Sequence, residues 1–265
     1  MFIKIFMRLI SPMTGKRKFQ RMFDRLYHLS LIGMNIGAGN GDPRYSGEKY
    51  ALEYINNSFK SMTKIIVFDV GANVGLYTIM LKEVFSEKAD IYSFEPKRKT
   101  FNKLQSNVGD KTRIHLYNFG FGNENAKSVL YSDSDESSGA SVHKRKLDHF
   151  NINMNQSEEI EIKTVDSFCE DHKIEHIHLL KLDVEGHELK VLEGTSKMLQ
   201  SGSIDFIQFE FGCNVDSRTY FQDFYYLLND NYKIYRVLQD GLYQINQYKE
   251  TYEIFVFTTY LAEKK

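Results

Sequence analysis

Residues 65–75, IIVFDVGANVG, constrain this chain more than any other stretch. An apolar run enters an acidic residue, Asp69, and then a turn punctuated by Gly71 and Gly75, after which LYTIMLKEVF carries helical periodicity. A short apolar run, glycines and then a helical repeat spell strand, loop and helix. The glycines let the backbone turn sharply and let a ligand lie against it. Further on, a second strand-like run, IYSF, ends in Glu95. A carboxylate at the end of the second strand of a βαβ unit can accept hydrogen bonds from both hydroxyls of a ribose. Together these features predict an adenosine-type cofactor.

The dinucleotide fingerprint G-x-G-x-x-G is broken here, because the glycines stand as G-x-x-x-G after Asp69. No G-x-x-x-x-G-K-[ST] occurs, which removes the simplest phosphate loop. The form D-x-G-x-x-x-G with an acidic strand end resembles the first motifs of class I S-adenosylmethionine methyltransferases. The plainer alternative is an ordinary βα turn in a doubly wound domain, where glycine serves packing.

Residues 179–199, LLKLDVEGHELKVLEGTSKML, narrow the reading. They resemble the K-[IL]-D-[VI]-E-G-x-E-x-x-V-L-x-G block of the FkbM-type methyltransferases, with Lys181, Asp183, Glu185, Gly186, Glu188, Leu192 and Gly194 in register. VFDVGANVGLYT is similar to that family's cofactor loop, and IDFIQFEFG and NYKIYRV to its closing strands, so the resemblance covers residues 64–257. It implies S-adenosylmethionine as cofactor and methyl transfer to a hydroxyl of a small molecule or glycan. A sugar is the favoured acceptor, with a lipid, a polyketide or a nitrogen acceptor as alternatives. A non-catalytic Rossmann-like binding or scaffold protein is the alternative from another class, and the intact Asp69, Gly71, Gly75 and Glu95 argue against it.

The rest of the chain fits one α/β domain. Strands are expected near 65–69, 91–95, 113–118, 127–131 and 159–163, then at HLLKL, DFIQFE, 232–238, 242–247 and 252–257. Helices are expected at 50–59, 97–107, TVDSFCEDH, 187–199 and 218–228. Strands alternating with helices predict a mainly parallel sheet covered on both faces. With the resemblance, this gives a Rossmann-like, doubly wound, seven-stranded sheet with an antiparallel edge strand. Residues 1–60 are expected to form an N-terminal helical extension and glycine-rich loop, and 61–265 the cofactor-binding domain. Residues 132–157 are polar and lack periodicity, which predicts a mobile flap on the substrate side.

The 265 residues carry a net charge of −1, so nucleic acid is not the expected partner. Cys169 and Cys213 are the only cysteines, and their spacing offers no zinc site or disulfide framework. That fits a reducing cytoplasm. Residues 1–25 hold seven Lys or Arg and a single acid, Asp24. Their apolar run is too broken to cross a membrane. The favoured reading is a helix that covers the core; the alternative is weak peripheral contact with the inner face of an anionic membrane.

Ligands of an open α/β sheet bind beyond the carboxyl ends of its strands. There, Asp69, Gly71, Ala72, Asn73 and Gly75 should meet the methionine part of the cofactor, Glu95 the ribose, and Gly120 and Phe121 the adenine, with Phe121 equally suited to core packing. Lys181 and Asp183 alternate on their strand and point to one face, where Lys181 either snorkels or pairs with a carboxylate. Asp183 is placed to hold the cofactor amine or orient the acceptor. Glu185 and Glu210 share that end. His187 is a candidate base, since a hydroxyl needs one or a metal. Alternatively, Asp183, Glu185 and Glu210 share Mg²⁺, which prefers oxygen ligands. His143 and His149, beside Lys144, Arg145 and Lys146, read as solvated or as an anion-binding run. His172, His176 and His178 have no ligand spacing.

Overall fold

The computed structural model of the chain describes residues 10–37, 46–109, 112–134, 137 and 139–265. The apolar runs become β1 (Ile65–Val70), β2 (Ala89–Phe94), β3 (Ile114–Tyr117) and β4 (Gly120–Phe121). They are followed by β5 (Ala126–Ser132), β6 (Gln156–Lys163), β7 (Ile177–Leu182), β8 (Ile204–Phe211), β9 (Tyr232–Val237), β10 (Leu242–Ile245) and β11 (Thr258–Lys264). The main sheet runs β10-β9-β11-β8-β7-β1-β2-β3. From β3 through β8 all neighbours are parallel. β11 is antiparallel to both β8 and β9, and β10 is antiparallel to β9 at the edge. The fold is the expected Rossmann-like α/β sheet with an antiparallel edge strand. It holds one strand more than the expected seven, because the chain after β9 turns back and pairs as β10.

Alternation along the strands separates two apolar layers. Ile65 and Val67 of β1 join helices Glu48–Ser58, Leu76–Phe85 and Arg98–Asn107 in one cluster. Phe68 and Val70 join helices Val165–His172, Glu188–Glu193, Ser196–Gln200 and Phe221–Leu228 in the other. β4, β6 and β5 form a separate small sheet, in which the predicted alternation of β5 and β6 appears as an antiparallel pair. Its Leu130, Ile160 and Ile162 make a third apolar cluster with Ala140 and Val142.

Three expectations change. The helix expected at 187–199 is two helices, because Gly194 passes so close to the Gly122 carbonyl that a Cβ would lie 2.0 Å from its oxygen. The last strand lies at Thr258–Lys264, not 252–257. Part of the earlier segment serves a helix start: the Glu253 carboxylate accepts hydrogen bonds from the backbone N–H of Phe221 and Gln222. Finally, helix Gln20–Gly33 does not cover the core, since Leu31 is its single buried residue. The expected helix over 1–9 and most of the glycine-rich loop, 38–45, lie outside the described residues. Among the described residues no helix is long and apolar enough to cross a membrane, and both cysteines are free.

Candidate active site

β1 and β7 are parallel neighbours from which the chain departs to opposite sides of the sheet, a topological switch point of the kind that opens a crevice. Their register sets Asp69 beside Lys181, and the next places Lys181 beside Gln208. All three side chains leave the strands on the face of helix Leu76–Phe85, where the neighbouring positions are apolar. Burying them requires that each be paired.

The pairing is dense. The Lys181 ammonium lies 3.3 Å from Oδ1 of Asp69 and 3.1 Å from Oδ2 of Asp183, and 4.8 Å above the Tyr77 ring. The alternation of Lys181 with Asp183 thus brings them together, and Lys181 pairs rather than snorkels. Thr78 donates its hydroxyl to Oδ2 of Asp69 at 2.7 Å. Asp69 Oδ1 is buried with that ion contact but no hydrogen bond. Tyr77 donates to Gln208, Gln208 donates to Glu48, and Ser46 donates to the other Glu48 oxygen. Burial works against the Lys181 charge, but Asp183, Asp69, Glu48 and Glu210 outweigh it and hold the ammonium above its ordinary pKa.

The loop after β1 is shaped by contact rather than by helix capping alone. Gly71 has φ +80°, and a Cβ there would sit 1.8 Å from the Asp183 carbonyl oxygen. Its N–H and that of Ala72 donate to the Phe94 carbonyl. Asn73 and Gly75 are also left-handed, and Gly75 begins helix Leu76–Phe85. Glu95 is buried with one oxygen accepting from Asn73 N–H and the other from Lys97 N–H. Burial pushes its carboxyl up to about 7 despite these bonds.

At the opposite rim, Glu185 takes a left-handed φ of +54°, uncommon for a side-chain-bearing residue. Its carboxylate pairs with Arg145, and its backbone carbonyl accepts from Ser141. Burial and the Asp183 charge raise its pKa, with Arg145 opposing. Glu210, at the end of β8, is raised well above the ordinary range by burial and by Asp183, Glu185 and Glu48. His187 goes the other way: burial, with His143 and Lys190, takes it down to about 4. Its Nδ1 lies 3.3 Å from His143 Nε2, so His143 is half-buried in the site rather than solvated.

One crevice gathers these groups. It is lined by Gly71, Ala72, Asn73, Glu95, Gly120, Phe121, Lys181, Asp183, Glu185, His187 and Glu210, together with Glu48 and Tyr77. Asp69 lies one layer beneath, fully buried. Phe121 is 1 % exposed and wedged among Phe68, Phe94, Phe119 and Phe168, so its main partner is the core. The small sheet closes one side with Leu130, Ile160 and Ile162, and the loop after β5 adds Ser137, Ala140 and Val142. Residues 132–157 thus do reach the strand ends. Among the described residues, Asp183, Glu185 and Glu210 do not approach closely enough to share an ion; the group that does is His176, His178 and Asp205, elsewhere in the fold.

Sequence reasoning missed Glu48, Tyr77, Thr78 and Gln208, and read Arg145 as part of a solvated or anion-binding run, whereas it pairs with Glu185. Gln208 carried a signal, a polar residue in the apolar strand IDFIQFEF with the same parity as Glu210. Glu48 carried none, because a glutamate at a helix start is ordinary.

The electrostatic result is a crevice rich in carboxylates, with the buried Lys181 ammonium in its lining. Such a site favours a guest that brings positive charge and hydrogen-bond donors at one end and a flat apolar group at the other. Comparison with known proteins gives the family. The "Methyltransferase FkbM domain" profile matches residues 69–245. "Hexuronic acid methyltransferase AglP" of Haloferax volcanii is 27% identical over 155 residues, 58% of each chain. "Methyltransferase 1" of Beauveria bassiana is 26% identical over 143 residues, 48% of this chain and 57% of that one. The chain therefore spans somewhat over half the length of these curated relatives. A S-adenosylmethionine-dependent methyltransferase from Agrobacterium tumefaciens aligns over 83% of this chain and 63% of its own, with TM-score 0.45 and 7% identity.

Proposed function

Because the chain belongs to the FkbM family of methyltransferases, we propose that it transfers the methyl group of S-adenosylmethionine to an oxygen of a sugar or comparable hydroxylated small molecule. The observation that carries this reading is the carboxylate-rich crevice at the β1–β7 switch point. When bound, the cofactor supplies an electrophilic methyl on a cationic sulfur.

The residues fit that group. The methionine end, with its ammonium and sulfonium charges, suits the approach between residues 71–74 and Asp183, with Glu48 nearby, while Gly75 packs against Leu104 and Val108. Gly71 leaves no room for a side chain, so the loop can lie flush against β7. Each Glu95 oxygen has accepted one backbone N–H and keeps lone pairs for a ribose diol. Gly120, Leu130, Ile160 and Ile162 offer an apolar slot for the adenine ring.

At the acceptor end stand Asp183, Glu185, His187 and Glu210. A general base works best with a pKa near the operating pH. Glu210 lines the crevice at the end of β8 and is raised from the ordinary carboxylate range, whereas burial takes His187 down to about 4, away from neutrality. We therefore assign the base role to Glu210 and an orienting role to His187, whose neutral ring can accept a hydrogen bond from a sugar hydroxyl. Rows of carboxylate oxygens likewise suit a polyol. The name of the Haloferax relative supports a sugar acceptor.

The test is transfer of labelled methyl to a panel of free and conjugated sugars, lipids and amines, with products read by mass spectrometry. A sugar methyl ether is the expected product. Methylation of amines or simple lipids with none on sugars would overturn the acceptor class. Glu210→Gln is expected to lose more turnover than His187→Ala; the reverse order would return the base role to His187.

A further inference from the structure

Helix Gln20–Gly33 stands away from the body of the molecule. Leu31 is its only buried residue, while Met22, Leu26, Leu29 and Ile32 are exposed, the last two at 64% and 68%. Their spacing of four, three and three residues sets them on one face of the helix. Arg21 and Arg25 border that face, and Arg17 and Lys18 precede it in a short 3₁₀ turn. Asp24 is the sole acid between residues 10 and 33.

An exposed apolar stripe on a surface helix has no stabilising role in water. Flanked by arginines, it matches the boundary of an anionic bilayer, where apolar side chains enter the acyl region and guanidinium groups meet the headgroups. A second copy of the chain is a poorer occupant, since twofold pairing of this face would bring its basic groups together. We propose that this helix is an interfacial anchor that docks the protein on an anionic lipid surface.

The anchor is connected to the active-site rim. Just past the helix, Asn35 Nδ2 donates to the carbonyls of Ser46 and Val237, and Gly37 N–H donates to the carbonyl of Phe257. Ser46 and Phe257 line the crevice. The segment that follows the helix is therefore tied to two residues of the crevice wall. The proposal does not depend on the acceptor or on methyl transfer.

Sedimentation of the full chain with vesicles tests it. Binding is expected to vesicles of phosphatidylcholine mixed with phosphatidylglycerol, not to phosphatidylcholine alone, and to fall as salt rises. Leu26→Glu, and separately Arg21→Glu with Arg25→Glu, should each lower the bound fraction about tenfold or more, the scale expected when apolar insertion or basic contacts are lost. All of these side chains are exposed, so melting temperature and S-adenosylmethionine binding should stay unchanged. No binding to the anionic vesicles, equal binding to both lipids, or binding indifferent to the variants would overturn the anchor. So would a wild-type dimer dispersed by Leu26→Glu without vesicle binding, which would give the face to a second copy.

Discussion

At the scale of single residues, the crevice is governed by what cannot be moved and what cannot stay charged. Gly71 is the first kind. The sequence suggests that bulk at this position would collide with a ligand, yet the structure puts the collision with the Asp183 carbonyl, whose oxygen would lie 1.8 Å from an added Cβ. Gly71→Ala is therefore expected to cost the fold about 2–3 kcal/mol, the scale of local backbone strain at functional sites, besides weakening the cofactor. A thermal melt unchanged from wild type would show that the loop and β7 can separate. Glu95 is the second kind. With its carboxyl pushed up to about 7, much of it is protonated at neutral pH before ligand arrives. Ribose hydroxyls donate to the charged form, so binding should lower this pKa and release a proton. Affinity for S-adenosylmethionine is then expected to fall as pH drops below about 7, and Glu95→Gln should remove that dependence. Calorimetry in buffers of different ionisation enthalpy reads the proton directly; a heat independent of buffer would contradict it. Asp69, Gly71 and Glu95 were legible in the sequence because all three belong to one βαβ unit, whose parts are adjacent along the chain. The Tyr77–Gln208–Glu48 relay was not, because its members come from segments that meet only through the fold.

At the scale of elements, periodicity found nearly every strand and helix, and failed where tertiary contact outweighs local pattern. LKVLEGTSKML has a continuous helical stripe, yet the chain breaks it into Glu188–Glu193 and Ser196–Gln200. The cause is the contact of Gly194 with Gly122, which ties the helical layer to the end of the small sheet. The Asp166 carboxylate then accepts from the N–H groups of Lys197 and Met198, so the second helix has its own N-terminal partner. Gly194→Ala should force these elements apart and destabilise the protein by about 1–3 kcal/mol, as overpacking does. Because the small sheet supplies Leu130, Ile160 and Ile162 to the crevice, cofactor affinity should weaken with it. Denaturant melts and calorimetry on the same variant would check both; loss of stability with untouched affinity would uncouple the small sheet from the cofactor. The final strand shows the same lesson. YEIFVF has better strand composition than TTYLAEK, but β8 and β9 leave room between them for the latter, and Glu253 is engaged at a helix start.

At the scale of the molecule, the question is which residues make the folded body. The expected boundary at residue 60 sets the N-terminal helices and glycine-rich loop apart from the first core strand. Packing places weight earlier. Ala51, Leu52 and Ile55 of helix Glu48–Ser58 are fully buried against β1 and helix Leu76–Phe85, and Glu48 completes the polar relay beneath the crevice. Burying side chains such as Leu52 and Ile55 stabilises by about 1.5–3 kcal/mol each, a large share of the roughly 5–15 kcal/mol typical of a whole domain. By contrast, the described residues 10–33 give the body a single buried side chain, Leu31. A chain shortened to residues 34–265 keeps the Asn35 bonds to Ser46 and Val237 and should fold, bind S-adenosylmethionine and lose vesicle binding. A chain shortened to 61–265 should aggregate or melt far lower, since it exposes the apolar face that Leu52 and Ile55 cover. Circular dichroism melts of the two shortened chains decide the matter: equal stability would mean that helix Glu48–Ser58 is an accessory, and the residues that close the crevice from beneath would have to be sought elsewhere.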